Sequence, residues 1–147
     1  MVEISIKYFT NKDGEKQQPI EKIEKGDWID LRSNEEISLR KGEFKLIHLG
    51  VGMKLPDGYE AHLAPRSSTF KKWHILQTNS FGVIDNSYSG DEDEWMLPVY
   101  ATEDTTIYRG DRICQFRIIE KQPEIKFTEV ESLDAVSRGG FGSTGTN

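Results

Sequence analysis

The stretch Val2-Glu3-Ile4-Ser5-Ile6-Lys7-Tyr8-Phe9 decides how the rest of the sequence is interpreted. Apolar and polar residues alternate along it, which places Ile4, Ile6 and Tyr8 on one side of an extended chain. Successive side chains of a β-strand point to opposite faces of the sheet, so this alternation is typical of a strand with one buried face. The first element of the fold is therefore predicted to be a half-buried β-strand.

Short runs of the same character recur along the chain, and turn signals separate them. We predict further strands over 44–51, 59–64, 95–101, 112–119 and 124–130. Clusters containing glycine, aspartate or asparagine at 11–14, 56–58, 89–91 and 109–111 are expected to be turns. The one helix candidate is 67–73, which Ser67 or Ser68 is expected to cap. The pattern predicts one all-β domain, built as an antiparallel sandwich, jelly roll or barrel.

The composition of the 147-residue chain limits its partners and its location. The formal net charge of −6 argues against broad nucleic-acid binding, which requires a basic face to replace the counterions of phosphates. The single cysteine, Cys114, permits no intrachain disulfide. No stretch approaches the roughly 18 apolar residues of a membrane span, and the alternating N-terminal segment lacks the apolar run of a signal peptide. We therefore expect a cytoplasmic protein with no membrane partner.

The last ten residues differ from the rest of the chain. The segment 138–147 contains four glycines and no apolar run, which is the composition of a flexible terminal segment. We therefore predict a β domain over 1–137, followed by a C-terminal arm over 138–147.

Five short segments of the sequence carry a resemblance to a known family. They are Gly26-Asp27-Trp28-Ile29-Asp30-Leu31-Arg32, Pro65-Arg66-Ser67-Ser68, Gly82-Val83-Ile84-Asp85-Asn86-Ser87-Tyr88-Ser89-Gly90, Gly110-Asp111-Arg112-Ile113-Cys114-Gln115-Phe116 and Arg138-Gly139-Gly140-Phe141-Gly142-Ser143-Thr144-Gly145. In this order they resemble the five motifs of the trimeric dUTPase family. The stretch through Asp91-Glu92-Asp93-Glu94-Trp95 looks most like the dUTPases carried by phages and prophages of Gram-positive bacteria. One such segment is weak evidence, whereas five in the family's order are specific. The first departs mildly from the family pattern, because Asp27-Trp28-Ile29 replaces a small residue, a glycine and a variable residue.

The resemblance implies a distorted jelly roll and a homotrimer whose active sites lie at subunit interfaces. It implies that the C-terminal arm closes over the site of a neighbouring subunit. It further implies an enzyme that hydrolyses dUTP to dUMP and pyrophosphate, which keeps uracil out of DNA and supplies dUMP for dTMP synthesis.

The resemblance also assigns roles that local sequence alone leaves open. Water must attack the α-phosphorus, which requires a base, and Asp85 matches the family's base. Judged by its neighbours alone, Asp85 is more typical of an ordinary turn aspartate. Tyr88 would lie beneath the deoxyribose and leave no room for a 2′-hydroxyl, although a strand tyrosine is more often a packed aromatic.

The remaining substrate contacts are assigned in the same way. The backbone of Gly82, Val83 and Ile84 and the amide of Asn79 would read uracil. Arg66 and the helix start at Ser67 and Ser68 would hold phosphates. The arm would supply an arginine, an aromatic lid and hydroxyl donors. A helix cap, a surface charge and a buried hydrogen-bonding glutamine are the structural alternatives for Ser67, Arg66 and Gln115. The full set is Arg66, Ser67, Ser68, Asn79, Gly82, Val83, Ile84, Tyr88, Gln115, Arg138, Phe141, Gly142, Ser143 and Thr144.

The resemblance implies Mg²⁺ as the cofactor, held mainly by the three phosphates and by water. Asp30 would contact the ion in the outer sphere, through water. As a structural alternative, Asp30 is a solvent-facing strand residue.

Three alternatives accompany this interpretation. dCTP deaminase, a relative with the same fold, carries a different pattern with a catalytic glutamate where this chain has 82–88. A regulatory protein of the phage type could contact a host protein through the acidic insertion 91–95. A monomeric β barrel is the alternative architecture, but a trimer covers more of the exposed strand edges.

Overall fold

The computed structural model describes residues 1–22 and 24–140 of the chain. Within these residues the chain forms eleven β-strands and one short α-helix. The helix, α1 (Thr69–Trp73), lies between the sixth and seventh strands. The strands are β1 (Ser5–Tyr8), β2 (Ile29–Arg32), β3 (Ile37–Leu39), β4 (Phe44–His48), β5 (Val51–Lys54), β6 (Tyr59–Pro65), β7 (Ile75–Gln77), β8 (Gly82–Ile84), β9 (Met96–Ala101), β10 (Thr105–Ile107) and β11 (Arg112–Glu120).

The strands of the described residues pair in the antiparallel sense to form four small sheets. The largest sheet has the order β2-β11-β6-β8, and a second has the order β4-β9-β7. Two two-stranded sheets, β1-β5 and β3-β10, complete the fold. Neighbours in the sheets are distant in sequence, as in a jelly roll. The predicted all-β, jelly-roll class is confirmed.

Alternation along the strands builds the core. On β9, Leu97, Val99 and Ala101 are fully buried, whereas Tyr100 between them is exposed. On β11 the pairing with β2 shifts between Arg112 and Cys114, so that Ile113 and Cys114 are both buried. Burial also raises the pKa of the Cys114 thiol, as expected of a core residue rather than a nucleophile.

The predicted strands at 59–64 and 112–119 are confirmed and form the two longest strands of the described residues, β6 and β11. The run 95–101 forms β9 from Met96 onward. The predicted strand 44–51 is instead two strands, β4 and β5, with a break at Leu49 and Gly50. Gly50 has a φ of 70°, and a Cβ there would lie 2.7 Å from the Asn34 side chain. The backbone therefore leaves the ladder at a place where only glycine fits.

The predicted strand 124–130 is wrong. Residues 121–140 form neither strand nor helix, and all of them are exposed. Alternation is present at 124–130, but no strand of the described residues pairs with it. The strands end at Glu120, while the predicted domain division after residue 137 stays a prediction.

The turn signals are borne out, but the helix cap is not. Asn11 accepts the N–H groups of Asp13 and Glu15 with its side-chain oxygen, and Gly110 turns with a φ of 94°. The helix begins at Thr69, and Ser68 precedes it without making a side-chain capping hydrogen bond. The capping role predicted for Ser67 or Ser68 is therefore wrong. No helix of the described residues is long and apolar enough to cross a bilayer.

Candidate active site

An open cleft lies where β8 and the loop that follows it face β4 and β9. We call it the hairpin cleft. Strand β8 lies against β6, with Gly82 opposite Leu63 and Ile84 opposite Ala61. The cleft brings together five of the predicted site residues with apolar side chains of the neighbouring sheet. Its lining includes Asn79, Val83, Ile84, Asp85, Tyr88, Leu46, Met96 and Pro98.

Gly82 lies at the start of β8 and Asn79 just before it, at the opposite end of the strand from Asp85. Gly82 is buried, and a Cβ there would lie 3.3 Å from the Cβ of Leu63 and 3.5 Å from Nδ2 of Asn79. The absence of a side chain therefore lets β8 lie close to β6. The Gln77 side chain holds Asn79, because its Nε2 donates to Asn79 Oδ1 at 2.9 Å and to the Leu63 carbonyl at 3.0 Å. Asn79 lies on the lining of the hairpin cleft.

Asp85 is an exposed carboxylate held by the turn that follows it. The N–H of Ser87 donates to Asp85 Oδ1 at 2.8 Å, and the Ser87 hydroxyl makes a short hydrogen bond to the same atom. The Ser87 hydroxyl is the main cause that lowers the pKa of Asp85 below its ordinary value, and the Ser87 N–H adds to it. Asp85 is therefore ionised at neutral pH and oriented by its own loop.

Tyr88 is fixed at its phenol end. The N–H of Tyr88 donates to the Asp85 carbonyl at 3.2 Å, and its hydroxyl donates to the Glu94 carbonyl at 2.9 Å. Partial burial, followed by the charges of Asp93 and Glu94, raises the pKa of Tyr88 above its ordinary value. The phenol is therefore neutral and donates one hydrogen bond at neutral pH.

A second group, three predicted site residues together with Arg112, meets where β2 and β6 flank β11. We call this group, Asp30, Arg66, Arg112 and Gln115, the strand-end cluster. Arg66 Nε lies 3.0 Å from Asp30 Oδ1, and Arg112 Nη1 lies 3.7 Å from Asp30 Oδ2. Gln115 lies opposite Asp30 in the sheet and donates to the Pro65 carbonyl at 3.1 Å. Predicted phosphate ligands thus surround the predicted metal-associated carboxylate.

Thr69, a residue that was not predicted from the sequence, anchors Arg66. The buried Thr69 hydroxyl accepts the Arg66 N–H at 2.8 Å and donates to the Ile113 carbonyl at 2.9 Å. The Arg66 guanidinium also donates from Nη1 to the Arg112 carbonyl at 3.0 Å. The turn that carries Arg66, Ser67 and Ser68 is thereby tied to β11. The signal available in the sequence was a third hydroxyl directly after two serines.

The two groups occupy separate places on one subunit. Among the described residues, the lining of the hairpin cleft includes none of Asp30, Arg66 and Gln115. Arg138 lies on the exposed terminal segment. The predicted arm contacts Phe141, Gly142, Ser143 and Thr144 lie outside the described residues. The hairpin cleft of one subunit therefore does not gather all of the predicted site residues.

The described residues contain no group of three or more histidine, cysteine, aspartate or glutamate side chains that could hold a metal ion directly. Asp30, the residue predicted to contact Mg²⁺, is engaged by two arginines. This donor set fits an ion held by phosphate oxygens and water, with a carboxylate in the outer sphere.

The two groups supply an oriented carboxylate, an aromatic side chain beside it and two arginines, a set of residue types that suits a nucleotide hydrolase. The sequence model of the dUTPase family matches residues 23–145. The chain belongs to the dUTPase family.

Individual relatives agree with this assignment. The chain is 56% identical over 145 residues to the SPbeta prophage-derived deoxyuridine 5'-triphosphate nucleotidohydrolase YosS of Bacillus subtilis, covering 99% of both chains. Its fold is similar to that of a Staphylococcus bacteriophage 80alpha dUTPase with dUPNHPP, with a TM-score of 0.72, 23% identity, and coverage of 97% of this chain and 98% of that one. It is also similar to a dUTPase from phage phi11 of S. aureus described with a structural Mg(II) ion, with a TM-score of 0.72, 19% identity, and coverage of 90% and 99%.

Proposed function

We propose that Asp85 is the base with which this dUTP-hydrolysing enzyme activates water for attack on the α-phosphorus. The attack breaks the bond between the α-phosphorus and the bridging oxygen, so that dUMP and pyrophosphate leave. The observation that carries the assignment is the Asp85 carboxylate, ionised and oriented by Ser87 in a cleft beside Tyr88. A base must be unprotonated and held in place before it can orient a water molecule.

The hairpin cleft is proposed to select uracil and deoxyribose. Backbone groups of Gly82, Val83 and Ile84 would read the edge of the base, with the amide of Asn79 beside them. Cytosine reverses one donor–acceptor pair of that edge, and a mismatched buried polar group costs about 1–3 kcal/mol. The Tyr88 ring would lie beneath the sugar, where a 2′-hydroxyl would collide with it.

The strand-end cluster is proposed to hold the phosphates. Arg66, Ser67, Ser68 and Gln115 supply one guanidinium, two hydroxyls and one amide for their oxygens. Bound Mg²⁺ would neutralise charge on the phosphate oxygens. Asp30, between two arginines, would accept hydrogen bonds from the water molecules of that ion.

The assembly that joins both groups is proposed to be a homotrimer. The hairpin cleft of one subunit would face the strand-end cluster of a second, and the arm of a third would cover both. In that arm Arg138 would pair with the γ-phosphate, Phe141 would stack on uracil, and Gly142, Ser143 and Thr144 would close over the phosphates. Such closure excludes water and strengthens the electrostatic contacts. We divide the chain accordingly into a β domain over 1–137 and an arm over 138–147.

A regulatory role is a second candidate, compatible with catalysis. The 80alpha phage enzyme is described among phage dUTPases that control transfer of virulence genes. In this chain the acidic insertion 91–95 exposes Asp91 and Glu92, whereas Trp95 is buried. A host protein would therefore contact the first two acidic residues. A cytoplasmic location stays a prediction from the sequence.

Pyrophosphate release from dUTP, dCTP, dTTP and UTP with Mg²⁺ tests the catalytic proposal. We expect release from dUTP alone, and a rate roughly a hundredfold or more lower for Asp85→Asn, since a positioned base contributes about 10²–10⁴-fold. Asp91→Asn, a change to an exposed carboxylate further along the same loop, is the control and should retain the rate. Undiminished turnover by folded Asp85→Asn would remove Asp85 from the mechanism, and ammonia release from dCTP would favour the deaminase.

A further inference from the structure

The acidic insertion 91–95 is built into the fold rather than projecting from it. The Trp95 N–H donates to the Val51 carbonyl at 2.8 Å, and the Trp95 carbonyl accepts from the Leu49 N–H at 3.0 Å. Lys7 Nζ donates to the Asp91 carbonyl at 2.7 Å. Both ends of the insertion are therefore fixed to neighbouring strands.

Glu94 connects this fixed segment to the hairpin cleft. Its carboxylate lies 3.0 Å from His48 Nδ1 through Oε1, and it accepts the Gly50 N–H at 2.9 Å through Oε2. The Glu94 side chain is only 15% exposed. At the other side of the same residue, the Glu94 carbonyl accepts the Tyr88 hydroxyl at 2.9 Å. Glu94 thus contacts both Gly50, in the break between β4 and β5, and Tyr88, the aromatic residue of the hairpin cleft.

We propose that Glu94 is a positioning residue for sugar selection: its side chain fixes the peptide group whose carbonyl holds the Tyr88 phenol. The proposal rests on the proposed role of Tyr88 beneath the deoxyribose. An aromatic ring excludes a 2′-hydroxyl only if it cannot move away from it. Tyr88 is partly exposed, so the packing around its ring constrains it less than it would in a core. The hydrogen bond at the phenol supplies the missing constraint, and the carboxylate of Glu94 keeps its acceptor in place.

The two sets of contacts allow Glu94 two roles, one in stability and one in positioning. Glu94 could simply stabilise the break between β4 and β5, since it binds Gly50 there. If that were its only role, substitution of Glu94 would lower the stability of the fold without changing which sugar the enzyme accepts. A role through Tyr88 changes the ratio of the kcat/KM values for dUTP and UTP. The ratio therefore separates positioning from stability.

The test compares the dUTP/UTP ratio of kcat/KM in the full chain, its Glu94→Ala, Glu94→Gln and Tyr88→Phe variants, and the double variant Tyr88→Phe/Glu94→Ala. Tyr88→Phe removes the anchoring hydrogen bond, and Glu94→Ala releases the peptide group whose carbonyl accepts it. Either change should reduce the ratio roughly threefold to tenfold, because one such bond has about this effect on an equilibrium. Glu94→Gln keeps an oxygen for the Gly50 N–H and should stay within about twofold of the unmodified chain. Glu92→Ala, a change to an exposed neighbour, is the matched control.

The double variant decides whether Glu94 acts through Tyr88. We expect its ratio to equal that of Tyr88→Phe alone, because the Glu94 carbonyl then has no phenol to hold. The inference would be overturned if the loss in the double variant were the product of the two single losses. It would also be overturned if the ratio were unchanged in Glu94→Ala but reduced in Tyr88→Phe. An unchanged ratio in Tyr88→Phe and also in Tyr88→Ala would instead overturn the proposed role of Tyr88 itself. If Glu94→Ala does not fold, His48→Ala removes one of the two side-chain contacts of Glu94 and is measured in the same way. An unchanged ratio in His48→Ala at full stability would then contradict the proposal.

Discussion

The ionised state of Asp85 depends mainly on a residue two positions further along the chain. Asp85 is exposed, so burial contributes little to its pKa, and the hydrogen bonds of Ser87 are the principal cause of the lowered value. A lowered carboxyl pKa means that a catalytic base stays unprotonated as the pH falls towards the ordinary value near 3.8. Hydrolysis should therefore lose no activity through protonation of Asp85 between about pH 5 and pH 8.

Ser87→Ala tests the cause of that shift. Removal of the hydroxyl deletes the largest contribution, so the pKa of Asp85 should rise towards its ordinary value, and the acid limb of kcat/KM should move to higher pH. The same shift also affects folding stability. A carboxyl whose pKa is lowered in the folded state contributes stability above its unfolded pKa, and this contribution is lost as the pH falls through the folded pKa. An NMR titration of the Asp85 side-chain carboxyl carbon measures the pKa directly. Ser89→Ala is the control, and equal Asp85 pKa values in both variants would assign the shift to another group.

The residue scale also shows where motif comparison ends. Asp85, Tyr88 and Asn79 were predicted from the resemblance, and the structure brings them to one cleft. Glu94 and Thr69 were not predicted as contributors. Both act through backbone groups that become neighbours only after folding, at the Tyr88 hydroxyl and at the Arg66 N–H. No spacing rule along the chain indicates contacts of this kind.

At the scale of elements, α1 depends on its attachment to β11 rather than on its own capping. A helix of five residues is too short to be stable alone, and Ser68 makes no capping hydrogen bond with its side chain. The Thr69 hydroxyl instead joins the turn before the helix to the Ile113 carbonyl. The position of Arg66 in the strand-end cluster therefore depends on one buried hydroxyl.

Thr69→Val keeps the shape of the side chain and removes that hydroxyl. The partly buried Arg66 N–H and the buried Ile113 carbonyl would lose their partner, and we expect the free energy of unfolding to fall by about 2 kcal/mol. The KM for dUTP should also rise, because the turn that carries Arg66 would no longer be tied to β11. Chemical denaturation measures the first effect and steady-state kinetics the second. Thr69→Ser retains the hydroxyl and should keep most of both; equal losses in the two variants would point to the methyl group instead.

Length decided which strands could be predicted from the sequence. The runs that form β6 and β11 contain seven and nine residues, enough for several alternations. Strands β3, β7, β8 and β10 have three residues each, and no period can be read from three positions. The error at 124–130 has the opposite origin, because alternation there is clear but pairing requires a partner strand. The sequence pattern indicates whether a segment can form a strand, and the presence of a neighbouring strand decides whether it does form one.

At the scale of the whole molecule, the exposed terminal segment 121–140 is the feature least consistent with a monomer. Phe127 is 91% exposed and Val136 is 96% exposed, and Ile125, Val130 and Leu133 are exposed beside them. Apolar side chains in such number on one segment are typical of a surface that another chain covers. Together with the separation of the hairpin cleft from the strand-end cluster, this exposure favours an assembly in which each subunit completes another's site.

Two truncations separate assembly from catalysis. Deletion of 138–147 removes the arm but leaves the apolar part of the terminal segment, so we expect a folded trimer with little activity towards dUTP. Deletion of 121–147 also removes the apolar residues from Ile125 to Val136, and we expect it to weaken the trimer as well. Light scattering on a sizing column measures the assembly, and pyrophosphate release measures turnover. Full turnover by the shorter deletion would show that the arm is dispensable. A trimer that survives the longer deletion unchanged would place its contacts on the β domain, and the exposed apolar segment would then require a different partner.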